Sequence, residues 1–328
     1  MSRTFSALGS WLRGAAQAAN VLIRRASWSA TLRPRASTIE QIKARKAARK
    51  ASGASYIEHP RVSVIVQSFN QVRNIPVLEQ RLRATCAEEL IVCEDGSIDG
   101  SHEEWMRRLV GPNDFLLHSN DIHEIRSYGR AIAYSRGEII CLMQDDDQPP
   151  KDGGWLADAL ALFDAYPALA ILGGWCGFDE WFDVEYNAPW LPAGAGAIPF
   201  ADAQTGRPLV FVENVNIGPY FVRRRVFEEL GGFDLRFSAP GEPGITFEAE
   251  LCYRAWKRGF QVALTDIPVK LETGTQGYIF PGGTTLWDND ARERNERANK
   301  ELIEQLYEQF LPEIRRAVSE ANSQLKAM

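Results

Sequence analysis

An alternation that begins at Arg61 restricts the fold of this chain more than any other feature, because short apolar runs there alternate with segments of helical periodicity. Apolar runs of about four to eight residues are typical of strands that are buried on both faces of a sheet. Helical segments between such strands supply the crossovers that parallel strands need. We therefore expect an α/β fold, with a mostly parallel sheet and helices on both of its faces. The predicted strands are residues 62–66, 89–93, 115–118, 138–143 and 168–172, and the predicted helices are residues 74–85, 101–109, 124–135 and 155–166.

The alternation is interrupted after the fifth predicted strand. Residues 173–210 are rich in Gly, Pro and aromatic residues, and we expect them to be irregular. Thr246 is predicted to cap a helix that ends at Gly259. Residues 289–326 are predicted to be helical, with a break at Pro312. The remaining predicted elements are strands at residues 209–212, 220–222 and 261–264 and a helix at residues 224–230.

Charge is distributed unevenly along the 328 residues. Residues 1–57 carry eleven Lys or Arg and one acid, a net charge of +10, which leaves −16 for the rest of a chain whose net charge is −6. An acidic body argues against nucleic acid as the main ligand. We divide the chain into a basic N-terminal arm (residues 1–57), an α/β domain (residues 58–270) and a C-terminal loop with a helical tail (residues 271–328).

The arm leaves three interpretations open: a helix that lies on a membrane surface, an organelle transit peptide, or a tail without a role. Thr38 and Gln41 have the spacing of a capping box and predict a short basic helix that ends near Gly53. No apolar stretch is long enough to span a membrane. Five cysteines without a C-x-x-C pair argue against a zinc site or a disulfide framework. We expect a cytoplasmic protein, with peripheral membrane contact or organelle targeting through the arm as open alternatives.

Polar and acidic loops follow three of the predicted strands at their carboxyl ends, where ligand sites of open α/β sheets lie. Gln67 and Asn70 belong to the loop after the first strand. Residues 94–101 follow the second strand, and residues 144–147 follow the fourth. The three loops are therefore predicted to meet at one edge of the sheet.

Asp145, Asp146 and Asp147 are the sharpest signal in the chain. Three adjacent carboxylates repel one another unless a cation or solvent offsets their charge. The alternative is a solvated acidic turn, but the buried strand that precedes these residues fixes them at the sheet edge. Oxygen ligands suit Mg²⁺ or Mn²⁺, and such an ion takes its other ligands from substrate phosphates. The cluster therefore predicts a divalent-cation site.

The loop from Glu94 to Ser101 permits two interpretations. An acid at the end of a strand can accept hydrogen bonds from a nucleobase or from ribose hydroxyls. Alternatively, Gly96 and Gly100 only make turns, and Ser101 with Glu104 forms a capping box that opens a helix.

Five segments, VSVIVQSFN, IVCEDGSIDGS, RGEIICLMQDDD, GGFD and FEAELCYRAWKRG, together resemble glycosyltransferase family 2 over about residues 61–265. The resemblance implies a Rossmann-like GT-A fold, a nucleotide-sugar donor, Mn²⁺ or Mg²⁺ as cofactor, and inversion at the anomeric carbon. UDP is the commonest nucleotide of this family, whereas GDP and dTDP stay open. The acceptor would be a hydroxyl of a glycan, a lipid or a polysaccharide.

The resemblance also assigns residues to the donor. Asp95 matches the acid that holds the base or the ribose, Asp99 matches the later Asp of that loop, and Glu94 stands where the family usually has Asp. The nucleotide-sugar site predicted in this way comprises Gln67, Asn70, Glu94, Asp95, Asp99, Arg126, Arg130, Asp145 and Asp146.

The metal-binding D-x-D motif of the family overlays the acidic cluster. We assign Asp145 and Asp147 to the metal and favour Asp146 or Asp147 as the direct ligand. The register stays open, because Gln144 occupies what is otherwise the first Asp of the motif.

Glu248 falls on the Asp of the family's E-D pair and is predicted to be the general base, one methylene longer than usual. The alternative is an acid that only stabilises the first turn of its helix by about 0.3–1 kcal/mol. Glu250 falls on the next acid and is assigned to the acceptor. A C-terminal His often completes the metal site of this family, but no His follows His123 in this chain. We name Glu272 as a candidate replacement.

Two further groups are less specific. Arg126 and Arg130 are four residues apart on a predicted helix and are assigned to the diphosphate, with a plain surface helix as the alternative. Trp175 and Trp181 belong to a run of aromatic residues that extends to Trp190. We predict that they contact the acceptor, and a satellite core under a long loop is the alternative.

The sequence therefore predicts a metal-dependent inverting glycosyltransferase of the hexosyltransferase type, active in polysaccharide biosynthesis. Two rival functions remain: a non-catalytic nucleotide-sugar-binding module of the same fold, and a nucleotidyltransferase. A nucleotidyltransferase would favour a Gly-rich basic loop after the first strand, which QSFNQVRN does not provide.

Overall fold

The computed structural model describes residues 36–51, 53–187, 198–238, 242–267 and 289–327. The chain forms two compact units, residues 1–54 and residues 55–328. In the first unit the described part is one basic helix, α1 (Ala36–Ala51). Thr38 lies inside this helix, so the capping box predicted there is wrong.

The second unit contains all described strands. In chain order these are β1 (Val62–Ser68), β2 (Glu89–Glu94), β3 (Asp114–His118), β4 (Ile139–Gln144), β5 (Leu169–Gly173), β6 (Cys176–Asp179), β7 (Val184–Asn187), β8 (Leu209–Phe211), β9 (Asn214–Val215), β10 (Tyr220–Arg223) and β11 (Gln261–Thr265).

Helices separate these strands and close the chain. They are α2 (Ile75–Arg83), α3 (Ser101–Arg108), α4 (His123–Tyr134), α5 (Gly154–Ala165), α6 (Arg224–Glu229), α7 (Phe247–Lys257), α8 (Asn289–Tyr307) and α9 (Leu311–Ala327). Short 3₁₀ turns cover Leu235–Phe237 and Glu308–Phe310.

The main sheet has the strand order β3-β2-β1-β4-β10-β5-β11-β8 within the described residues. Strands β1 to β4 pair in parallel, as do β5 and β11, whereas β10 and β8 are antiparallel to their neighbours. Residues 62–66 of β1 are all buried, and so is every residue of β2 and β5. Because successive side chains of a strand point to opposite faces, both faces of the sheet are covered. The predicted α/β fold class is confirmed.

The region after β5 is more regular than predicted. Strands β6 and β7 form a hairpin, and β6 also pairs with β9, so that a small antiparallel sheet has the order β7-β6-β9. The expectation of an irregular segment at residues 173–210 is wrong here, because its short strands lack the long apolar runs by which the other strands were recognised. Residues 188–197, and with them Trp190, lie outside the described part.

Two predicted helix caps are also wrong. Helix α3 begins after Gly100, which has a φ of +98°, and Ser101 is already helical. Ser101 Oγ instead donates a 2.6 Å hydrogen bond to Asp99. Thr246 precedes α7 with a φ of +64° and makes no side-chain cap, because its hydroxyl donates to the carbonyl of Ile245.

The C-terminal helices pack onto the rest of the second unit. Asn322 of α9 exchanges two hydrogen bonds with the backbone of Phe211 in β8. Asn299 of α8 donates to the carbonyls of Phe237 and Ile245. The predicted break at Pro312 is confirmed, since α9 begins at the residue before it. Across the described parts of the chain, no helix is both long and apolar enough to cross a membrane.

Candidate active site

The strand order places a switch point between β1 and β4, because the connections from β1 and from β4 lead to opposite sides of the sheet. Ligands of open α/β sheets bind outside the carboxyl ends of the strands at such a point. The register aligns Gln67 of β1 with Gln144 of β4 and Ser68 of β1 with Glu94 of β2. The loops that follow these residues therefore meet at one edge, as predicted.

The acidic cluster is buried at this edge. Asp145 Oδ2 accepts a 2.7 Å hydrogen bond from the amide of Phe69, which joins the loops after β4 and β1. Asp147 Oδ2 accepts a 2.8 Å bond from the amide of Gln144. Burial, and next the charge of Asp146, raises the pKa of Asp145. None of the three carboxylate residues is more than 7% exposed, which argues against a solvated acidic turn.

Gly218 lies directly against this cluster. Its φ is +108°, and a Cβ built there would stand 2.8 Å from Asp147 Oδ1. Glycine at this position therefore permits both the backbone conformation and the close approach to the carboxylate. Three buried carboxylates offer only oxygen donors and repel one another, so the donor set fits Mg²⁺ or Mn²⁺.

The carboxylates of the loop after β2 hold neighbouring loops in place. Asp95 accepts hydrogen bonds of 2.9 and 2.8 Å from the amides of Ile122 and His123. Burial raises the pKa of Asp95, and these two bonds partly oppose that effect. Asp99 accepts bonds from Ser101 and from the amide of Val72.

Asn70 fixes the loop after β1 to the same region. It has a φ of +55°, its amide donates to Ser97 Oγ at 2.9 Å, and its side-chain oxygen accepts a 2.8 Å bond from the amide of Ile98. Gln67 is the sixth residue of β1 and lies beside Gln144. Both predicted donor residues are thus at the expected edge, and their contact with a nucleotide stays a prediction.

Glu94 has two partners that the sequence reasoning missed. Its Oε2 lies 2.6 Å from His118 Nδ1 and 3.3 Å from His102 Nδ1, and its Oε1 accepts a 2.5 Å bond from the amide of Ser97. Burial alone would raise the pKa of Glu94, but the bonds from His102, Ser97 and His118 lower it to about 2. A usable signal was present, because Glu94 directly follows one predicted strand and His118 ends the next.

The two arginines of α4 are occupied by protein partners. Arg126 donates 3.0 Å hydrogen bonds to the hydroxyl and the carbonyl of Ser238. Arg130 donates to the carbonyl of His118 at 2.7 Å and to Ser119 Oγ at 3.0 Å. Their assignment to a diphosphate stays a prediction, since in this state both side chains brace the loops around the site.

Glu248 lies in the first turn of α7 and is partly buried. Its Oε2 is buried and makes no hydrogen bond to any described residue. Burial is the largest cause that raises the pKa of Glu248 to about 7. The charges of Glu124 and Glu296 contribute to this rise in the pKa, whereas the charge of Arg292 opposes it. A carboxylate of this kind is suited to accept a proton near neutral pH.

Glu250 occupies a different environment, although it is only two residues away. It is 2% exposed, Oε1 accepts a 2.6 Å bond from the Tyr307 hydroxyl, and Oε2 forms a 2.5 Å ion pair with Arg254. Both carboxylate oxygens are thus used inside the protein. Its predicted contact with the acceptor stays a prediction, and the geometry gives it an anchoring role.

The predicted acceptor tryptophans pack against the core. Trp175 Nε1 donates a 2.7 Å bond to the carbonyl of Ile217. The ring centroid of Trp181 lies 5.4 Å from that of Tyr253. Both indoles are partly buried against core residues, which is the arrangement of a satellite core. Glu272, the candidate replacement for the missing His, lies outside the described residues.

Comparison with known proteins gives one family. The model of the family described as Glycosyl transferase family 2 matches residues 63–231, slightly more than half of the chain. The match includes the loops after β1, β2 and β4. No curated protein sequence gives a significant match.

Solved structures resemble the chain at low identity. Mannosyltransferase PcManGT from Pyrobaculum calidifontis, in complex with GDP-Man and Mn²⁺, is 15% identical, with a TM-score of 0.44 over 71% of this chain and 66% of that protein. S. aureus TarS 1-349, in complex with UDP-GlcNAc, is 15% identical, with a TM-score of 0.44 over 69% of this chain and 61% of that one. The chain thus spans less than two thirds of the length of these proteins.

Proposed function

The chain belongs to glycosyl transferase family 2 and has the α/β sheet expected of its GT-A fold, and from that premise we propose that it is a metal-dependent, inverting glycosyltransferase. It moves a sugar, in our proposal a hexose, from a nucleoside diphosphate to a hydroxyl group of a carbohydrate or lipid-linked acceptor. UDP is the nucleotide that we propose first, because it is the commonest in the family.

One observation carries the proposal: the carboxylate of Glu248 combines a raised pKa of about 7 with an Oε2 atom that bonds to no described residue. An acid whose only role is to stabilise a helix contributes most to stability when it is ionised. Burial raises the pKa of Glu248 and thereby disfavours the ionised form, which argues against that role. A general base is most effective when its pKa lies near the working pH. The environment of Glu248 therefore favours proton transfer over a purely structural role.

The reaction assigned to this site consists of one displacement. The acceptor oxygen forms a bond to the anomeric carbon while the bond from that carbon to the diphosphate oxygen breaks. The acceptor proton moves to the carboxylate of Glu248, and the bonding electrons leave with the nucleoside diphosphate. Attack from the face opposite the leaving group inverts the anomeric configuration.

The donor lies, in this proposal, across the switch point between β1 and β4. Asp145 and Asp147 would hold the divalent cation, with Asp146 beside the donor. A cation bound there stabilises the negative charge that develops on the diphosphate. Phe69 and Gln144 contribute through their amides, which orient the carboxylates of Asp145 and Asp147.

The nucleotide half of the donor is assigned to the side of β1, β2 and β3. Asp95 and Asp99 support this assignment indirectly, because their carboxylates hold backbone that borders the expected pocket. Asp95 holds the segment before α4, and Asp99 bonds to the loop after β1 and to the start of α3. We propose that they shape the pocket, and that Gln67 and Asn70 border the phosphates.

The basic helix α1 suggests where the acceptor is presented. Residues 36–51 contain five Lys or Arg and one Glu. Each basic residue near an anionic membrane surface contributes about 1 kcal/mol to the free energy of binding. We propose a peripheral contact of this helix with an anionic membrane, and hence a cytoplasmic enzyme that acts on a lipid-linked acceptor.

A thermal-shift panel tests the donor site first. UDP, GDP, dTDP and CMP are each added with Mn²⁺, Mg²⁺ or chelator. A nucleotide at 100 times its Kd stabilises the fold by about 2.7 kcal/mol, which raises the melting temperature measurably. Stabilisation by one nucleotide only in the presence of metal supports the site, whereas no shift with any of them contradicts it.

Transfer is tested by release of the nucleoside diphosphate from the matching nucleotide sugar. Glu248→Gln should keep donor affinity and lose about 10²-fold or more in turnover. Glu229→Gln, at an exposed position of α6, serves as the matched control. Donor binding without turnover in the unaltered chain would instead identify a non-catalytic nucleotide-sugar-binding module.

A further inference from the structure

We propose that Glu94, His102 and His118 form a binding site for a transition-metal ion such as Zn²⁺, separate from the cation site of the acidic cluster. The cysteine pattern gives no reason to expect zinc, and the family resemblance assigns Glu94 to the nucleotide. The proposal goes beyond the transfer reaction and does not depend on it.

The three side chains come from three different elements that meet at one point. Glu94 is the last residue of β2, His118 is the last residue of β3, and the parallel register places them side by side. His102 is the second residue of α3. One ligand atom from each residue lies within 4.8 Å of the others. Because strands and a helix supply them, these atoms are held in place before any ion arrives.

The spacing fits a tetrahedral ion. Zinc ligands at about 2.0–2.1 Å from the metal stand roughly 3.3 Å apart when they occupy tetrahedral corners. Glu94 Oε2 and His102 Nδ1 are already 3.3 Å apart. His118 Nδ1, at 2.6 Å from the same oxygen, is at hydrogen-bonding distance, and it must move away by a fraction of an ångström when an ion replaces the shared proton.

The chemistry of the ligands distinguishes this site from the acidic cluster. Two imidazoles and one carboxylate are the donor set of several zinc enzymes. Imidazole favours Zn²⁺, Co²⁺, Ni²⁺ and Cu²⁺, whereas carboxylates alone suit Mg²⁺ and Mn²⁺. The chain would therefore bind two kinds of divalent ion at two places along one sheet edge.

Neighbouring groups orient the ligands. Ser97 donates its amide to Glu94 Oε1, so that Oε2 faces the histidines. Arg130 donates to the carbonyl of His118 and fixes the end of β3. The rings of His102 and His118 meet edge to face at 4.9 Å. The bond from Ser97 to the second oxygen of the ligating carboxylate is a supporting contact of the kind that metal sites commonly have.

Access to the site is open on one side. The side chain of Glu94 is fully buried, whereas those of His102 and His118 are 31% and 58% exposed. An ion can therefore enter from solvent and keep a water molecule as its fourth ligand. Its effect would be to lock the end of β2 to β3 beside Asp95, which orients the loop before α4.

The test uses the full chain after removal of metals with a chelator. Zn²⁺ binding is measured by calorimetry, and Co²⁺ is added as a spectroscopic probe, because four-coordinate Co²⁺ absorbs visible light strongly. We expect one equivalent of each ion to bind, with an increase in melting temperature. His118→Ala and His102→Ala should each weaken binding by at least about 10-fold.

Two control variants test whether Zn²⁺ binds at this cluster and not elsewhere on the chain. His59→Ala changes an exposed histidine outside the cluster and should leave Zn²⁺ affinity unchanged. Asp146→Asn should leave it unchanged as well, since the acidic cluster is a different site. Melting of the metal-free variants shows whether they fold. Absence of binding to the full chain, or equal binding by a folded His118→Ala variant, overturns the proposal and leaves a hydrogen-bonded Glu–His cluster only.

Discussion

The Tyr307 hydroxyl donates a 2.6 Å hydrogen bond to Glu250 Oε1 and thereby joins the C-terminal helix α8 to α7, the helix that carries Glu248. The rings of Tyr307 and Tyr253 also stack, with centroids 5.7 Å apart. Arg292 and Glu296 of α8 act on the pKa of Glu248. The C-terminal helical tail is thus part of the environment of the candidate base.

Tyr307→Phe should destabilise the fold, because it removes the donor from one oxygen of a buried carboxylate. Loss of such a bond costs about 1–3 kcal/mol, and the ion pair of Glu250 with Arg254 does not involve the tyrosine hydroxyl. Urea unfolding measures this difference. Tyr134→Phe, at an exposed tyrosine of α4, is the control and should stay within about 0.5 kcal/mol of the unaltered chain. Equal stability of the two variants would show that the Tyr307 bond contributes nothing.

The raised pKa of Glu248 predicts a pH dependence of transfer. A base must be ionised to accept a proton, so kcat/KM should rise with pH through a midpoint of about 7. Glu248→Gln should remove this rising limb from whatever activity remains. A limb of unchanged midpoint in the residual activity of that variant would assign the titration to another group.

The raised pKa of Glu248 also predicts that its contribution to stability falls with rising pH, whereas activity rises. Its pKa is raised on folding, so the folded state binds the proton more tightly than the unfolded state between pH 4.5 and about 7. The contribution of Glu248 to the free energy of unfolding should therefore be largest below pH 4.5 and be lost as the pH rises to about 7. Comparison of urea unfolding of the unaltered chain and of Glu248→Gln across this range isolates the effect. The unaltered chain should lose stability relative to Glu248→Gln as the pH rises to about 7, and a stability difference that does not change over this range would contradict the raised pKa of this carboxyl.

Metal-dependent donor binding should need the acidic cluster. Asparagine keeps the shape of Asp146 and Asp147 and removes both charges, so the double variant Asp146→Asn, Asp147→Asn should lose at least about 10-fold in nucleotide affinity with Mn²⁺, or about 1.4 kcal/mol. Its affinity in chelator should equal that of the unaltered chain. Asp152→Asn, at an exposed position beyond the cluster, is the control. If the double variant keeps the affinity gained with Mn²⁺, the metal lies elsewhere.

Gly218→Ala tests the close approach of the backbone to Asp147. The new Cβ would stand 2.8 Å from a carboxylate oxygen that is buried, so either the loop or the carboxylate must move, at a cost of about 1–3 kcal/mol. Metal-dependent donor binding should weaken with it. Gly206→Ala is the matched control, since Gly206 also has a positive φ, +69°, and no atom lies within 4 Å of its added Cβ. Both variants place a side chain at a positive φ, although the φ of Gly218 is the less favourable for an alanine, and only Gly218→Ala should affect donor binding.

The sheet and its loops were predictable because each strand is a short apolar run with a clear end. That was sufficient to place Asn70, Asp95 and Asp145 at one edge. It was not sufficient to predict the hydrogen-bond partners of these residues, which depend on the order and register of the strands. The pairing of Glu94 with His118 follows only when β2 and β3 are known to be neighbours.

The wrong predictions have separate physical causes. Gly100 and Thr246 precede their helices in left-handed conformations, and a cap of this kind is set by the backbone and not by a side chain. The hairpin of β6 and β7 has strands of four residues each, which are too short to give a periodic signal. The partners of Glu250 lie 4 and 57 residues away in sequence, so the sequence could not show them, and its assignment to the acceptor stays a prediction.

The boundary between the basic arm and the body gives a final prediction. The sequence placed it after residue 57, whereas residues 55–57 belong to the second compact unit and bond to other residues of it. The carbonyl of Ser55 and the amide of Ile57 both bond to the side chain of Asn113, and Arg136 donates to the carbonyl of Ile57 at 2.6 Å. Arg136 also lies over the ring of Tyr56, with 4.3 Å from Cζ to the ring centroid.

Two truncations that differ by three residues should therefore behave differently. Removal of residues 1–54 takes away one compact unit and should leave the melting temperature and donor binding unchanged. Removal of residues 1–57 also breaks three hydrogen bonds and a cation–π contact, which together contribute about 1–3 kcal/mol. That loss lowers the melting temperature by roughly 2–4 °C for each kcal/mol in a domain of this size. Calorimetry of both truncated chains measures the difference, and equal melting temperatures would place residues 55–57 with the arm.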